Sequence, residues 1–151
     1  MNRFASPMSI ALSEARAAAR RGEVPVGAVV TDPEGKLVAQ AGNRTRELSD
    51  PSAHAEILAL RAACQKVQNE RLPGHALWVT LEPCPMCAAA IGYARIARLY
   101  YGASDPKSGG IEQGARVFHH PQCHHAPEVF EGIGEKEAAG LLRDFFAGLR
   151  R

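Results

Sequence analysis

The feature that most constrains the fold is an alternation of helical segments with short runs of β-branched and aromatic residues. Residues 7–21 repeat apolar side chains at helical spacing, and Ser6 is the expected N-cap. Two short strands, over 24–30 and 36–41, are predicted to form a hairpin. A hairpin followed by alternating helices and strands is typical of a mixed sheet with helices on its faces.

The same reasoning extends to the rest of the chain. A helix is expected over 51–67, with Asp50 as its cap, Pro51 at its first position and Ala53, Ile57, Leu60 and Cys64 on its inward face. The later elements are a strand at 77–81, a helix at 85–93, strands at 98–102 and 129–130, and a helix at 135–149. In the last helix, the spacing directs Ala138, Leu141, Leu142, Phe145 and Phe146 inward.

Length and composition narrow the class of protein. A chain of 151 residues with 46% hydrophobic and 23% charged residues predicts one globular domain over residues 1–151. No apolar run approaches the roughly 20 residues of a membrane span, and the first residues do not resemble a secretory signal. We therefore expect a cytoplasmic protein. Its net charge of +2 neither requires nor excludes a nucleic-acid partner, so any such contact must use a local basic patch.

Two short motifs supply metal-binding chemistry. His54-Ala55-Glu56 is followed 30 residues after the histidine by the Cys84-Pro85-Met86-Cys87 run, and each motif falls near a predicted helix start. Cys84 and Cys87 share one helical face, where the helix dipole stabilises thiolates. One imidazole and two thiolates are the ligand count of a catalytic zinc site that keeps a position for water.

Glu56 suits a different role from that of the zinc ligands. It is too close to His54 in sequence to be a comfortable fourth ligand, but it can act as a general acid and base on a zinc-activated water. This combination matches the signature of zinc-dependent nucleobase deaminases. Two alternatives are a closed structural zinc site, with a fourth ligand from Cys64, Cys123 or a histidine, and a redox pair of cysteines. Both leave Glu56 or His54 without a purpose.

With these motifs, the chain resembles the bacterial tRNA-specific adenosine deaminases, a family of the cytidine deaminase-like superfamily. The resemblance covers nearly the whole chain. The stretches that carry it, each given by its residue numbers, are 23–29, 42–44, 53–57, 79–87, 94–96, 101–109, 119–121 and 144–146. It implies a three-layer α/β/α sandwich around a five-stranded mixed sheet, one Zn²⁺ per subunit, a homodimer, and hydrolytic deamination of the wobble adenosine in a tRNA anticodon loop.

The resemblance also implies roles for particular residues. His54, Cys84 and Cys87 would hold zinc, and Glu56 would move protons. The residues implied to contact the base or the RNA are Asn43, Val26, Ala55, Asp105, Lys107, Phe145 and Phe146. Plainer interpretations stay open for several of them, since Asn43 and Asp105 suit ordinary turns and Val26 and the two phenylalanines suit a core. The predicted closing helix also carries Arg143, Arg150 and Arg151, which favour an RNA partner.

The chain departs from the family pattern after His119-His120-Pro121, where Cys123 is followed by His124 and His125. This histidine-rich loop (residues 119–125) suggests a second metal site, although a loop near RNA, or simply a polar loop, is the favoured interpretation. Cys64, at an inward helical position, is expected to be a buried core thiol.

Two other functions fit parts of the pattern. A deaminase of free bases or nucleosides, such as guanine or cytosine, shares every zinc-site residue. A zinc-stabilised RNA-binding module without catalysis would have no use for Glu56.

Overall fold

The computed structural model describes residues 6–149, and the terminal segment 1–5, Arg150 and Arg151 lie outside it. The helices are α1 (Pro7–Arg20), α2 (Ala55–Val67), α3 (Pro85–Tyr93) and α4 (Glu135–Leu149). The strands are β1 (Gly27–Thr31), β2 (Leu37–Gly42), β3 (Ala76–Leu81), β4 (Arg98–Ala103) and β5 (Glu128–Phe130), and a short 3-10 helix covers Val117–His119. The predicted element order is confirmed.

The strands form one five-stranded mixed sheet in the order β2-β1-β3-β4-β5. The β1–β2 and β1–β3 pairs are antiparallel, whereas β3–β4 and β4–β5 are parallel. One face of the sheet packs against α2 and α3 through a large apolar cluster, and the other packs against α1 and α4 through a smaller one. The three-layer α/β/α sandwich is therefore confirmed.

Helix α1 follows the sequence prediction closely. Ser6 is its N-cap, and the Ser6 Oγ accepts a hydrogen bond from the Ser9 backbone N–H at 3.1 Å. Gly22, just beyond the helix, has a φ of 81°, a left-handed value that glycine adopts without strain. The N-cap and the terminal glycine predicted the bounds of α1 because each signal depends only on neighbouring residues.

Helix α2 does not begin where the sequence predicted. The Asp50 Oδ1 accepts hydrogen bonds from the Ser52 backbone N–H at 2.9 Å and from the Ser52 hydroxyl at 2.7 Å, so Asp50 closes a turn. The helix starts four residues later than Pro51, at Ala55, with His54 as its N-cap. The buried face of α2 also differs from the predicted one. Its buried residues are Ala55, Glu56, Ala59, Leu60 and Ala63, and Ile57 and Cys64 are only partly buried.

The sequence also overestimated the burial of the apolar face of α4 and of Cys64. Ala138 is the only buried residue of α4 within the described range, while Leu141, Leu142 and Phe145 are partly buried and Phe146 is 42% exposed. The reason is that α4 packs on β3, β4 and α1 mainly through its first half. Cys64 packs at the margin of the larger cluster, where burial raises the pKa of its thiol.

Within residues 6–149, no helix combines the length and the hydropathy that crossing a lipid bilayer requires.

Candidate metal centre and active site

The first residues of α2 and α3 bring the two predicted motifs together. His54 and Cys84 are the N-caps of their helices, both with extended backbone, and neither side chain forms a capping hydrogen bond. Each backbone carbonyl still starts its helix, since His54 O accepts from the Leu58 N–H and Cys84 O from the Ala88 N–H. The two side chains are therefore placed by rigid helix ends and remain available for another partner.

The three predicted metal ligands converge at this point. The His54 Nδ1 lies 3.6 Å from the Cys84 Sγ and 3.5 Å from the Cys87 Sγ. All three ligand atoms lie within 4.8 Å of one another, and no other such group of three or more occurs among residues 6–149. One imidazole nitrogen and two sulfurs are a donor set that zinc prefers, so these residues fit the metal that the sequence implied.

The pKa values of the two cysteines shift in opposite directions. The hydrogen bond from the Cys87 thiol lowers the pKa of Cys84 to about 4, and the same contact, together with burial, raises the pKa of Cys87. The hydrogen bond with Cys84 also raises the pKa of His54. Cys84 is thus ready to bind a cation as the thiolate, and metal binding would displace the proton from Cys87.

Glu56 lies in the first turn of α2 and is only 4% exposed. Burial raises the pKa of its carboxyl group to about 7. A carboxyl group with a pKa near neutrality can both accept and release a proton at physiological pH, which is the property that a general acid and base requires.

A cavity of about 230 Å³ opens beside this group. His54, Glu56 and Cys84 form part of its wall, and Val26, Asn43 and Asp105 line it from other elements. Val26 also belongs to the larger apolar cluster, so the core and cavity interpretations of this residue both hold. These residues come from five separate parts of the chain.

The remaining predicted site residues lie outside the wall of this cavity. Ala55 is fully buried in the core between His54 and Glu56, and Lys107 is exposed on the loop that carries Asp105. Phe145 and Phe146 pack edge to face on α4, with ring centroids 5.4 Å apart. Their roles towards an RNA remain predictions.

Among residues 6–149, the histidine-rich loop contributes to no group of three convergent ligand atoms. The His120 Nε2 is 2.9 Å from the Ala115 carbonyl oxygen, and the His125 Nε2 is 2.7 Å from the Ile96 carbonyl oxygen. The Cys123 thiol donates to the His125 carbonyl oxygen at 3.2 Å. These side chains use their polar atoms to hold the loop, which is the polar-loop interpretation favoured above.

Sequence reasoning assigned no role to two buried carboxylates beside the cavity. Glu23 accepts hydrogen bonds from the backbone N–H groups of Arg46 and Glu47 and from the Asn43 amide. Glu82 lines the cavity and accepts hydrogen bonds from residues 104–113. Each is 2% exposed. One signal in the sequence could have indicated them, a single acidic residue directly beside an apolar strand. If such a residue is buried, its carboxylate requires hydrogen-bond donors.

Burial alone would raise the pKa of each of these carboxyl groups. The backbone hydrogen bonds outweigh burial and lower the pKa of Glu23 and of Glu82 below the ordinary value. Both groups are therefore carboxylates at neutral pH.

Comparison with known proteins identifies the family of the chain. A family model for MafB19-like deaminases matches residues 1–150. The tRNA-specific adenosine deaminase of Agrobacterium fabrum is 59% identical over 139 residues, which is 92% of this chain and 91% of that protein.

Two solved structures have the same fold. One comes from work on A-to-I editing by tRNA:A34 deaminases at the wobble position of transfer RNA. It matches with a TM-score of 0.88 and 58% identity, over 90% of this chain and 98% of its own. A guanine deaminase from Nitrosomonas europaea matches with a TM-score of 0.81 and 25% identity, over 93% and 83% of the two chains. The extent and identity of these matches, together with the metal-ligand geometry, establish that the chain belongs to the tRNA-specific adenosine deaminase family.

Proposed function

We propose that this protein deaminates adenosine to inosine at the wobble position of a tRNA anticodon loop. The observation that carries this function is the cavity that combines His54, Cys84 and the buried Glu56 in one wall. The match to a tRNA adenosine deaminase over 92% of the chain supports the substrate class. The reaction replaces the amino group at C6 of adenine with an oxygen from water and releases ammonia.

His54, Cys84 and Cys87 are the residues that would hold the metal. When bound there, zinc supplies a Lewis acid that lowers the pKa of water towards neutrality. The chain's own contribution is the proton transfer. The Glu56 carboxylate takes a proton from the attacking water and gives a proton to the departing amine, since its pKa of about 7 allows both steps.

The cavity volume supports binding of one base that has left its stack. At about 230 Å³ it is smaller than the roughly 300–1,000 Å³ pockets that hold drug-sized ligands. Enzymes that modify a base in RNA turn that base out of the stack and into such a pocket. We assign Asn43 and Val26, which line the cavity, to base contacts, and we propose that the backbone at Ala55, between the lining residues His54 and Glu56, also meets the base.

The remaining predicted residues are assigned to the surrounding RNA. Asp105 and Lys107 lie on one loop at the cavity, and Phe145 and Phe146 lie on α4. Stacking of one base on an aromatic side chain contributes about 1–3 kcal/mol. These four residues would form a local contact surface for RNA around the cavity, on a chain whose net charge is only +2.

A deaminase of free guanine is the second candidate, because the Nitrosomonas europaea guanine deaminase shares the fold. The similarity favours RNA instead, since the tRNA-specific adenosine deaminase of Agrobacterium fabrum is 59% identical and the guanine deaminase 25% identical.

Inosine mapping on total tRNA, after incubation with the zinc-loaded protein, tests the assignment. We expect inosine at the wobble position with the wild-type chain and far less with Glu56→Gln. Absence of inosine with stoichiometric zinc present would overturn the proposal. Ammonia release from a panel of free bases is the parallel assay, and faster turnover of guanine than of tRNA would favour the second candidate.

We also propose a homodimer in which α3 contributes to the interface. Tyr93 is 74% exposed and Met86 is 38% exposed on this helix, which otherwise carries small residues. Sedimentation equilibrium of the wild-type chain and of Tyr93→Glu tests this, with a dimer expected for the first and a larger monomer fraction for the second. A wild-type chain that is monomeric at all concentrations would contradict it.

Residues 1–151 are further proposed to form one deaminase domain that acts in the cytoplasm. All four cysteines are free thiols, which suits a reducing compartment.

A further inference from the structure

One wall of the cavity is a loop without regular structure, residues 104–113, which we call the 104–113 loop. It follows β4 and places Asp105 and Ser108 on the cavity, with Lys107 exposed between them. The Asp105 Oδ1 accepts hydrogen bonds from the Lys107 and Ser108 backbone N–H groups at 3.2 and 3.0 Å. This first turn of the loop is therefore internally ordered, but these contacts do not attach it to the rest of the protein.

Glu82 makes that attachment. Its Oε1 accepts from the Ser104 hydroxyl at 3.2 Å and from the Asp105 N–H at 3.0 Å. Its Oε2 accepts from three successive N–H groups at 3.1, 2.9 and 3.0 Å, those of Ile111, Glu112 and Gln113. One buried carboxylate thus joins the beginning and the end of the loop.

The loop backbone also lies directly against the start of α3. The Gly110 N–H donates to the Pro83 carbonyl oxygen at 2.8 Å, and a Cβ on Gly110 would lie 2.7 Å from the Pro85 nitrogen. A Cβ on Gly109 would lie 2.7 Å from the Glu82 Oε2. No side chain fits at either glycine, so the loop keeps a fixed distance from Cys84 only while it stays seated on this surface.

We propose that Glu82 is a positioning residue whose carboxylate holds the 104–113 loop so that Asp105, Lys107 and Ser108 meet the substrate. This inference rests on the proposed tRNA substrate, because Lys107 is exposed outside the cavity and meets a ligand only if the substrate extends beyond one base. Glu82 therefore sets the affinity for RNA, while His54, Cys84, Cys87 and Glu56 carry the metal and the proton transfer.

Glutamine is the informative replacement because it has nearly the shape of glutamate but only one acceptor oxygen. In Glu82→Gln the amide NH₂ must face either the Asp105 N–H or the three N–H groups of 111–113. Donors then oppose donors, and at least one backbone N–H loses its partner. The loop is expected to detach at that end without any change in the residues of the metal centre.

The first test measures the loop itself. Hydrogen–deuterium exchange is compared between wild type and Glu82→Gln, both zinc-loaded and without RNA. We expect faster exchange at the amides of 104–113 and unchanged exchange in α2. Glu23→Gln is the matched control, since Glu23 is an equally buried carboxylate that holds residues 46 and 47 in the loop after β2. It should leave exchange at 104–113 unchanged.

The second test is steady-state deamination of a tRNA anticodon stem-loop. Glu82→Gln should raise KM about tenfold or more, the size expected for losing one charge-assisted hydrogen bond, with a smaller change in kcat and one zinc retained per chain. Ser104→Ala removes one donor from the exposed end of the same contact and should raise KM by a smaller factor. If Glu82→Gln does not fold, the KM of Ser104→Ala still tests whether the contact with Glu82 affects RNA binding.

Three results would overturn the inference. They are unchanged exchange at 104–113, unchanged KM in a folded Glu82→Gln together with unchanged KM in Ser104→Ala, and a fall in kcat with loss of zinc at constant KM. The last would place Glu82 in support of the metal centre. A wild-type chain that makes no inosine would overturn the proposed function instead, and the exchange experiment would still decide whether Glu82 holds the loop.

Discussion

The metal centre and the histidine-rich loop contain the same kinds of side chain, but only the metal centre brings them together. His54, Cys84 and Cys87 place their ligand atoms within 4.8 Å of one another. The loop has four histidines and a cysteine between 119 and 125, and no group of three among residues 6–149 includes any of them. The number of potential ligands in a segment is therefore a poor guide to a metal site.

The difference lies in what holds each side chain. Helix starts position His54 and Cys84 through the backbone and leave their side chains without capping bonds. In the loop, His120 and His125 approach carbonyl oxygens at 2.9 and 2.7 Å, and the Cys123 thiol donates to a third. Where regular structure is absent, the polar side chains themselves hold the backbone, and within residues 6–149 their nitrogen and sulfur atoms do not converge in a group of three as those of the metal centre do.

The largest effect is expected for Cys87→Ser. This change removes one of the three proposed metal ligands at a fully buried position. We expect loss of stoichiometric zinc and of activity, because metal binding and folding are coupled. We also expect a fall in Tm of several degrees, since about 1 kcal/mol shifts the Tm of a domain of this size by roughly 2–4 °C. Elemental analysis and thermal melts check this, and a variant that retains one zinc would contradict the ligand assignment.

Glu56→Gln should separate catalysis from metal binding. The carboxyl group is lost but no proposed ligand changes, so zinc should stay at one per chain. Turnover should fall by about 10²- to 10⁴-fold, the usual contribution of a general acid and base. Single-turnover inosine formation measures the effect. Inosine formation close to wild type would contradict the role of Glu56 as general acid and base, whereas no inosine from the wild type itself would favour the RNA-binding module without catalysis.

A change in the histidine-rich loop should affect stability without affecting zinc. His125→Ala removes the contact with the Ile96 carbonyl oxygen, which should lower the free energy of unfolding by about 1 kcal/mol. Urea titration of the zinc-loaded variant gives this value, and elemental analysis gives the metal content. If zinc were lost, the two regions would not be independent and the comparison would fail.

The smallest effect is expected for His124→Ala. His124 is exposed, and changes at such positions usually alter the free energy of unfolding by less than about 0.5 kcal/mol. Zinc content and inosine formation should match the wild type. A second equivalent of zinc in the wild type that disappears in this variant would show that the loop does bind metal.

Local patterns predicted much of the fold because helix caps and period depend on near neighbours. Ser6 and the span of α1 illustrate this, as does Cys84 at the start of α3. The start of α2 was wrong because Asp50 also suits a turn with Ser52, and two local structures competed for the same residue. The predicted inward face of α4 was too wide, since Ala138 is buried but Phe146 is exposed. Periodicity defines an apolar face without defining how much of it the sheet covers.

The sequence by itself determined the candidate metal ligands and Glu56, because their chemistry and spacing are specific enough to stand without coordinates. Tertiary structure alone decided that Glu82 reaches both ends of the 104–113 loop, up to 31 positions away, and that the histidine-rich loop satisfies its own polar groups. The physical reason is that spacing along the chain specifies contacts within a helix turn. Partners of a buried carboxylate depend on which distant segments the sheet brings alongside it.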